Sequence, residues 1–176
     1  MGKFLAGLLV VSALFAGFGM YYLQVYAFYE EVQPTEDAVQ LVSVATDLPE
    51  TILFDGFQAI DADSSPIRYR ACFTTDMSHS LLTETYVAYE GAEPRIAPGW
   101  FDCFDAEAIG AELEAGTALA FLGTKNIAFG VDRIVAITED GRGYVWHEPN
   151  ECGAKAYDGS LKGEACPDRP ASEEAN

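Results

Sequence analysis

The hydrophobic pattern divides the chain at about residue 29. Residues 4–29 are almost wholly apolar, with Ser12 and Gln24 the only clearly polar side chains before a tyrosine-rich end. A helix of that length reaches roughly 39 Å, enough to cross a hydrocarbon core of about 30 Å. Gly17-Phe18-Gly19 is the nearest approach to a small-x-small cleavage site, yet Met20-Tyr21-Tyr22-Leu23 carries the apolar run straight past it. Residues 1–29 are therefore expected to be an uncleaved transmembrane signal-anchor rather than a cleaved signal peptide. Lys3 favours a cytoplasmic N-terminus, and Tyr21, Tyr22, Tyr26, Phe28 and Tyr29 suit the opposite membrane–water interface. Ser12, Ala13, Ala16 and Gly17 form two small-xxx-small pairs, candidates for lateral helix packing.

Beyond the apolar run the periods are mixed. Residues 30–38, which include Pro34, predict a polar tether. Strands are expected over 39–45, 54–62 and 67–75, the last two split by Asp63-Ser64-Ser65-Pro66. A short helix is expected around 78–85, then a Gly- and Pro-rich loop over 90–99. Asp105 can cap a helix over 106–114, with Glu107 in its first turn and Gly116 as its stop. A strand over 118–122 follows. Residues 134–138 and 143–147 flank Glu139-Asp140-Gly141-Arg142, which predicts a type I′ hairpin. That register sets Glu139 opposite Arg142, Ile137 opposite Tyr144, Val135 opposite Trp146 and His147 opposite Ile134. Strands without regular βαβ alternation predict an α+β domain over 39–163, with a mostly antiparallel sheet and one or two helices. An acidic, flexible tail is expected over 164–176.

Charge sharpens this division. All 28 Asp and Glu lie from Glu30 onward, against nine Lys and Arg there, so the body of the chain carries a formal −19. Such a surface lacks the clustered cations that nucleic acid requires. Four cysteines, Cys72, Cys103, Cys152 and Cys166, all fall in the part placed outside the cytoplasm. An even count in an oxidising compartment predicts two disulfides, with three pairings open. Cys152 with Cys166 is the local choice, leaving Cys72 for Cys103.

The signatures of catalysis are missing or broken. There is no phosphate-cradling loop, no H-E-x-x-H and no G-x-S-x-G. Asp61-Ala62-Asp63-Ser64-Ser65 opens like a calcium loop, but Pro66 stands where Gly is required and Cys72 where Glu is. Met77-Ser78-His79-Ser80 and His147-Glu148 place polar groups side by side, although strand alternation alone accounts for His147. No catalytic residue, cofactor or metal-ligand set is assigned. Trp100, Phe101 and Phe104, in the loop after the Gly- and Pro-rich stretch, either line an interaction surface or form the core beneath it.

Met1-Gly2-Lys3-Phe4-Leu5-Ala6-Gly7, Gly99-Trp100-Phe101-Asp102-Cys103-Phe104-Asp105, Gly123-Thr124-Lys125-Asn126 and the stretch from Gly141 to Pro149, with Asn150 and Cys152, are distinctive as a set. Together they resemble a family of small, uncharacterised, single-span proteins of Gram-negative bacteria. The resemblance implies an inner-membrane location with the domain in the periplasm, and supplies no activity. The expectation is a non-enzymatic accessory or assembly protein with a membrane-protein partner. The alternatives are a sensor of a small ligand or ion and, behind it, an exported hydrolase or redox enzyme.

Overall fold

The computed structural model describes residues 2–162 and Cys166. Helix α1 (Gly2–Tyr22) continues into a π-helical turn over Leu23–Ala27, and no residue of either is buried. The combined helix, Gly2–Ala27, is long and apolar enough to cross a membrane. The chain then forms β1 (Glu30–Val32), β2 (Gln40–Val42), β3 (Pro49–Thr51), β4 (Asp55–Asp61), β5 (Arg70–Thr74), α2 (His79–Thr85), α3 (Ala106–Ala115), β6 (Ala118–Ala128), β7 (Val131–Thr138) and β8 (Arg142–Pro149). Strands β1-β4-β5-β8-β7-β6 lie in that order in one sheet, with every neighbouring pair antiparallel. A second sheet is the antiparallel pair β2-β3. The fold is α+β.

The segment after α2 stitches the two sheets together. Leu122 N–H donates to the Val87 carbonyl and Tyr89 N–H to that of Ala120, while Val87 N–H donates to the Val42 carbonyl, each at 2.8–2.9 Å. This folds β2-β3 and α2 over one face of the large sheet. There Leu41, Ile52 and Leu82 pack on Phe73, Val135, Ile137 and Val145. On the other face α3 and the preceding loop pack Phe101, Phe104 and Ile109 on Ile134, Tyr144 and Trp146. The central strands are thus buried on both sides, so β7 and β8 are buried almost throughout, their polar Asp132, His147 and Glu148 included.

Three expectations change. Glu30–Val32, within the expected tether, pairs with Ala59, Ile60 and Asp61 as the edge of the main sheet. The expected strand over 39–45 is shorter, and its chain returns as β3. The hairpin is shifted by one residue: Ile137 pairs with Gly143, Ala136 with Tyr144, Val135 with Val145, Ile134 with Trp146, and Arg133 with His147. A type I′ turn needs positive φ at both central residues. Only Gly141 has it, at +83°, whereas Asp140 does not. Gly141 N–H donates to the Thr138 carbonyl at 3.0 Å and Arg142 N–H to Thr138 Oγ1 at 3.0 Å, closing a three-residue loop with Gly141 in the left-handed position. Thr138 Oγ1 also bonds Asp140, whose carboxylate is gripped by Arg142 Nε at 2.9 Å. Cross-strand partners share a face, so this shift sorts Val135 and Val145 onto one side and Ile134 and Trp146 onto the other.

Both helices end on local signals. Ser78 Oγ accepts from Leu81 N–H at the start of α2. Asp105 Oδ1 accepts from Glu107 N–H and Ala108 N–H at 3.0 and 3.1 Å, and Gly116 closes α3 at φ +74°. Disulfides join Cys72 to Cys103 and Cys152 to Cys166. Apart from Cys166, the tail expected over 164–176 lies outside the described residues.

Candidate functional site

The loop between residues 90 and 104 is held from three sides. Cys103 ties it to Cys72 on β5. Arg70, also on β5 and only 4% exposed, lies beneath it. The Arg70 guanidinium donates to four backbone carbonyls: Nε to Arg95 at 2.8 Å, Nη2 to Ile96 at 3.1 Å, and Nη1 to Ile67 and Tyr69 at 2.9 and 2.6 Å. Burial lowers its pKa to about 10, with the charges of Arg95 and Arg68 acting in the same direction and Tyr29 opposing, so it stays protonated at neutral pH. A fixed cation aimed at backbone oxygens gives an irregular loop the hydrogen bonds that a strand would otherwise supply.

Of the three aromatic residues picked out in this loop, Phe101 and Phe104 enter the core. Phe104 sits edge-to-face on Tyr144 at 5.9 Å and on Trp146 at 6.3 Å. Trp100 turns the opposite way, toward the end of the apolar helix. Its indole Nε1–H donates to the Val25 carbonyl at 2.7 Å, its ring stacks on Tyr26 at 6.4 Å, and it meets Tyr29 edge-on at 6.1 Å. Carbonyls in the last turn of a helix have no partner within the helix, so this bond satisfies one of them while clasping the domain to the helix exit. Ser12, Ala13, Ala16 and Gly17 lie farther down the same helix, exposed, and a Cβ added at Gly17 would meet nothing within 4 Å.

The two histidines are engaged with backbone. His79 Nε2 is 2.9 Å from the Ile137 carbonyl, fastening α2 to the sheet, while neighbouring Ser78 caps that helix. His147 Nδ1–H donates to the Pro66 carbonyl at 2.6 Å, which leaves Nε2 to accept from Arg133 Nε–H at 3.0 Å. Tyr69 stacks on the imidazole at 4.8 Å, and the Arg133 guanidinium lies 4.5 Å from the Tyr69 ring centre. Burial first, then the charges of Arg133 and Arg70, pulls His147 down to about 4, so it is neutral at pH 7.

Strand alternation sends Glu148 to the other face, so His147 and Glu148 do not form a pair. Glu148 Oε2 accepts from Trp146 Nε1–H at 3.0 Å and from Glu93 N–H at 3.1 Å. Nearby, Asp132 Oδ1 accepts from Asn126 N–H and Asn150 Nδ2–H, both at 2.7 Å, and Asn150 Oδ1 accepts from Cys152 N–H. In the stretch that resembles a calcium loop, Asp61 Oδ1 instead accepts from the adjacent Ala62 N–H at 2.8 Å. Burial raises the Asp61 pKa.

Arg70, Arg133 and Asp132 were not picked out from the sequence, and Asn150 entered only as part of the resemblance. The available signal was the presence of arginines inside strands of a strongly acidic domain, where a cation needs a specific reason to be buried.

A long apolar N-terminal helix joined to a domain with two disulfides defines an exported or membrane-anchored protein. The chain belongs to the family of unknown function DUF6446, whose model matches residues 39–167, a span that includes all four cysteines. No curated protein and no solved structure matches it.

Proposed function

We propose that this protein is a non-enzymatic accessory or assembly factor of the bacterial inner membrane. It crosses once, N-terminus in the cytoplasm, and presents its acidic domain in the periplasm to a membrane-protein partner. The observation that carries this reading is the Trp100 clasp. A domain free to swing on a tether samples a large volume, whereas one bonded to the helix exit through Val25, Tyr26 and Tyr29 keeps one face toward the membrane. Lys3 at the inner end and the aromatic belt at the outer end support the orientation. The exposed face of α1 carrying Ser12, Ala13, Ala16 and Gly17 suits lateral contact with another span. Purification of the full chain from mild detergent extracts tests the reading. One membrane protein recovered in constant ratio is expected; recovery of the chain alone at every salt concentration would defeat it.

A second reading, an extracytoplasmic sensor of a small ligand or ion, draws on one feature. A cleft of about 350 Å³ lies between β1, β4 and the loop, walled by Glu31, Gln58, Phe57, Trp100, Phe101 and Asp102. A ligand seated there would touch both the clasp and the sheet edge. Thermal shift of the full chain against metabolites and calcium tests it, and a flat response throughout would remove it.

A further inference from the structure

The domain is strongly acidic, yet its cations are not evenly spread. Arg68, Arg70 and Arg95 are three of the nine basic residues beyond Glu30, and all three gather beside the helix exit. The Arg68 guanidinium lies 5.6 Å from the Tyr29 ring centre, while Arg70 holds the Arg95 and Ile96 carbonyls. Tyr29 in turn touches Trp100, which is bonded to Val25. A 26-residue helix rises roughly 39 Å against a hydrocarbon core of about 30 Å, so its last turns emerge among lipid head groups. The clasp therefore puts Arg68 and Arg95 at headgroup height.

Arg70 is consumed by the four carbonyls it bonds. Arg68 and Arg95 are not. Among the described residues neither Arg68 nor Arg95 forms an ion pair with a carboxylate, and the Nε of Arg95 has no hydrogen-bond partner. Beside Arg95, the Ile96 side chain is 85% exposed. A cation next to an unburied aliphatic side chain is the pairing that membrane surfaces select, charge for the phosphate and hydrocarbon for the acyl boundary. Glu30, Glu31, Asp61 and Asp63 line a cleft beside Ala27 and Phe28 at the exit, where they repel anionic lipid and confine its contact to the arginines.

We propose that Arg68 and Arg95 form a seat for the phosphate of an anionic lipid headgroup, with Ile96 inserted beside it. This seat rests on the single-span reading above, with the domain on the outer surface. Each engaged arginine enriches anionic lipid roughly fivefold.

The test uses the full chain in vesicles and the fluorescence of its two tryptophans. Trp146 is fully buried and serves as the unquenched background, while Trp100 sits at the helix exit. Brominated phosphatidylglycerol and brominated phosphatidylcholine are compared as quenchers at equal mole fraction in an otherwise identical mixture. The seat predicts several-fold stronger quenching of Trp100 by the anionic lipid. The preference disappears in Arg68→Gln/Arg95→Gln, whereas quenching by phosphatidylcholine persists. Equal quenching of the wild-type chain by both lipids would overturn the seat and leave the anchor intact, whether or not the variant folds. A preference that survives both substitutions would overturn the assignment to these arginines. No quenching by either lipid would instead remove the placement at the membrane on which the seat depends.

Discussion

Acidification should loosen the domain through one buried imidazole. His147 is 5% exposed and neutral in the folded state, with a pKa near 4 against 6.5 for a free side chain. Above pH 6.5 both folded and unfolded chains carry it neutral, and its contribution to stability is complete. As pH falls toward 4 the unfolded chain takes up a proton that the folded chain refuses, so stability drains away across that window. The full difference amounts to about 3 kcal/mol, with about 2 kcal/mol already lost at about pH 5. Urea unfolding of the full chain in detergent, followed by Trp146 emission, reads this directly. With a slope of about 1–2 kcal/mol per molar urea, the midpoint should fall by about 1–2 M between neutral pH and pH 5. His147→Gln keeps a donor and an acceptor but cannot titrate, so its midpoint should move much less over the same interval. The difference between the two proteins isolates the imidazole from the carboxylates. Parallel pH profiles for wild type and variant would refute the reasoning.

Trp100→Ala removes the Val25 hydrogen bond and the contacts with Tyr26 and Tyr29, at a cost of about 2 kcal/mol. Amide exchange across residues 96–104 should then quicken about thirtyfold, and Trp100→Phe should recover part of the loss; unchanged exchange would mean the clasp does not hold the loop. Replacing Cys72 and Cys103 together by Ser opens a link across a sequence separation of 31 residues, which the chain-entropy account values at about 4 kcal/mol. A urea midpoint that barely moves would show that the pair is not a staple. Gly143→Ala would drive a Cβ into the Phe73 ring and should cost at least ~1–3 kcal/mol in a thermal melt. Free tolerance of alanine there would contradict the register that sets Gly143 opposite Phe73 on β5.

Much of the architecture was legible because its causes are local. The apolar run that becomes α1 needs no context. Asp105 and Gly116 mark the ends of α3 through their own caps, and Asp63-Ser64-Ser65-Pro66 marks the break between β4 and β5. The hairpin at Asp140-Gly141 was visible as a turn, but its register depended on whether Asp140 also takes a positive φ. Thr138 and Arg142 settle that through hydrogen bonds no turn statistic contains. Strand β1 was hidden because Glu30 and Glu31 are exposed on an edge and read as a tether. Its pairing with Ala59, Ile60 and Asp61 reaches across about thirty residues. The site was the least legible part. Trp100 was picked out together with Phe101 and Phe104, but nothing local separates it from those two core residues, and its bond to Val25 spans 75 positions. Arg70 likewise serves loop carbonyls 25 and 26 residues later in the chain. Long-range packing assigns these roles, and periodicity carries no record of it.

The proposed single anchor would leave the acidic domain outside the cytoplasm and clasped to the helix exit. Labelling of amines in intact spheroplasts with a membrane-impermeant reagent, mapped by peptide mass, tests this most directly. Lys155 and Lys162 are exposed on the domain, and Lys3 lies at the other end of the helix. The account predicts modification of Lys155 and Lys162 in intact spheroplasts, with Lys3 labelled only after lysis and the chain retained in the membrane fraction. Label on Lys3 with Lys155 and Lys162 protected, or recovery of the domain free of the membrane, would contradict it.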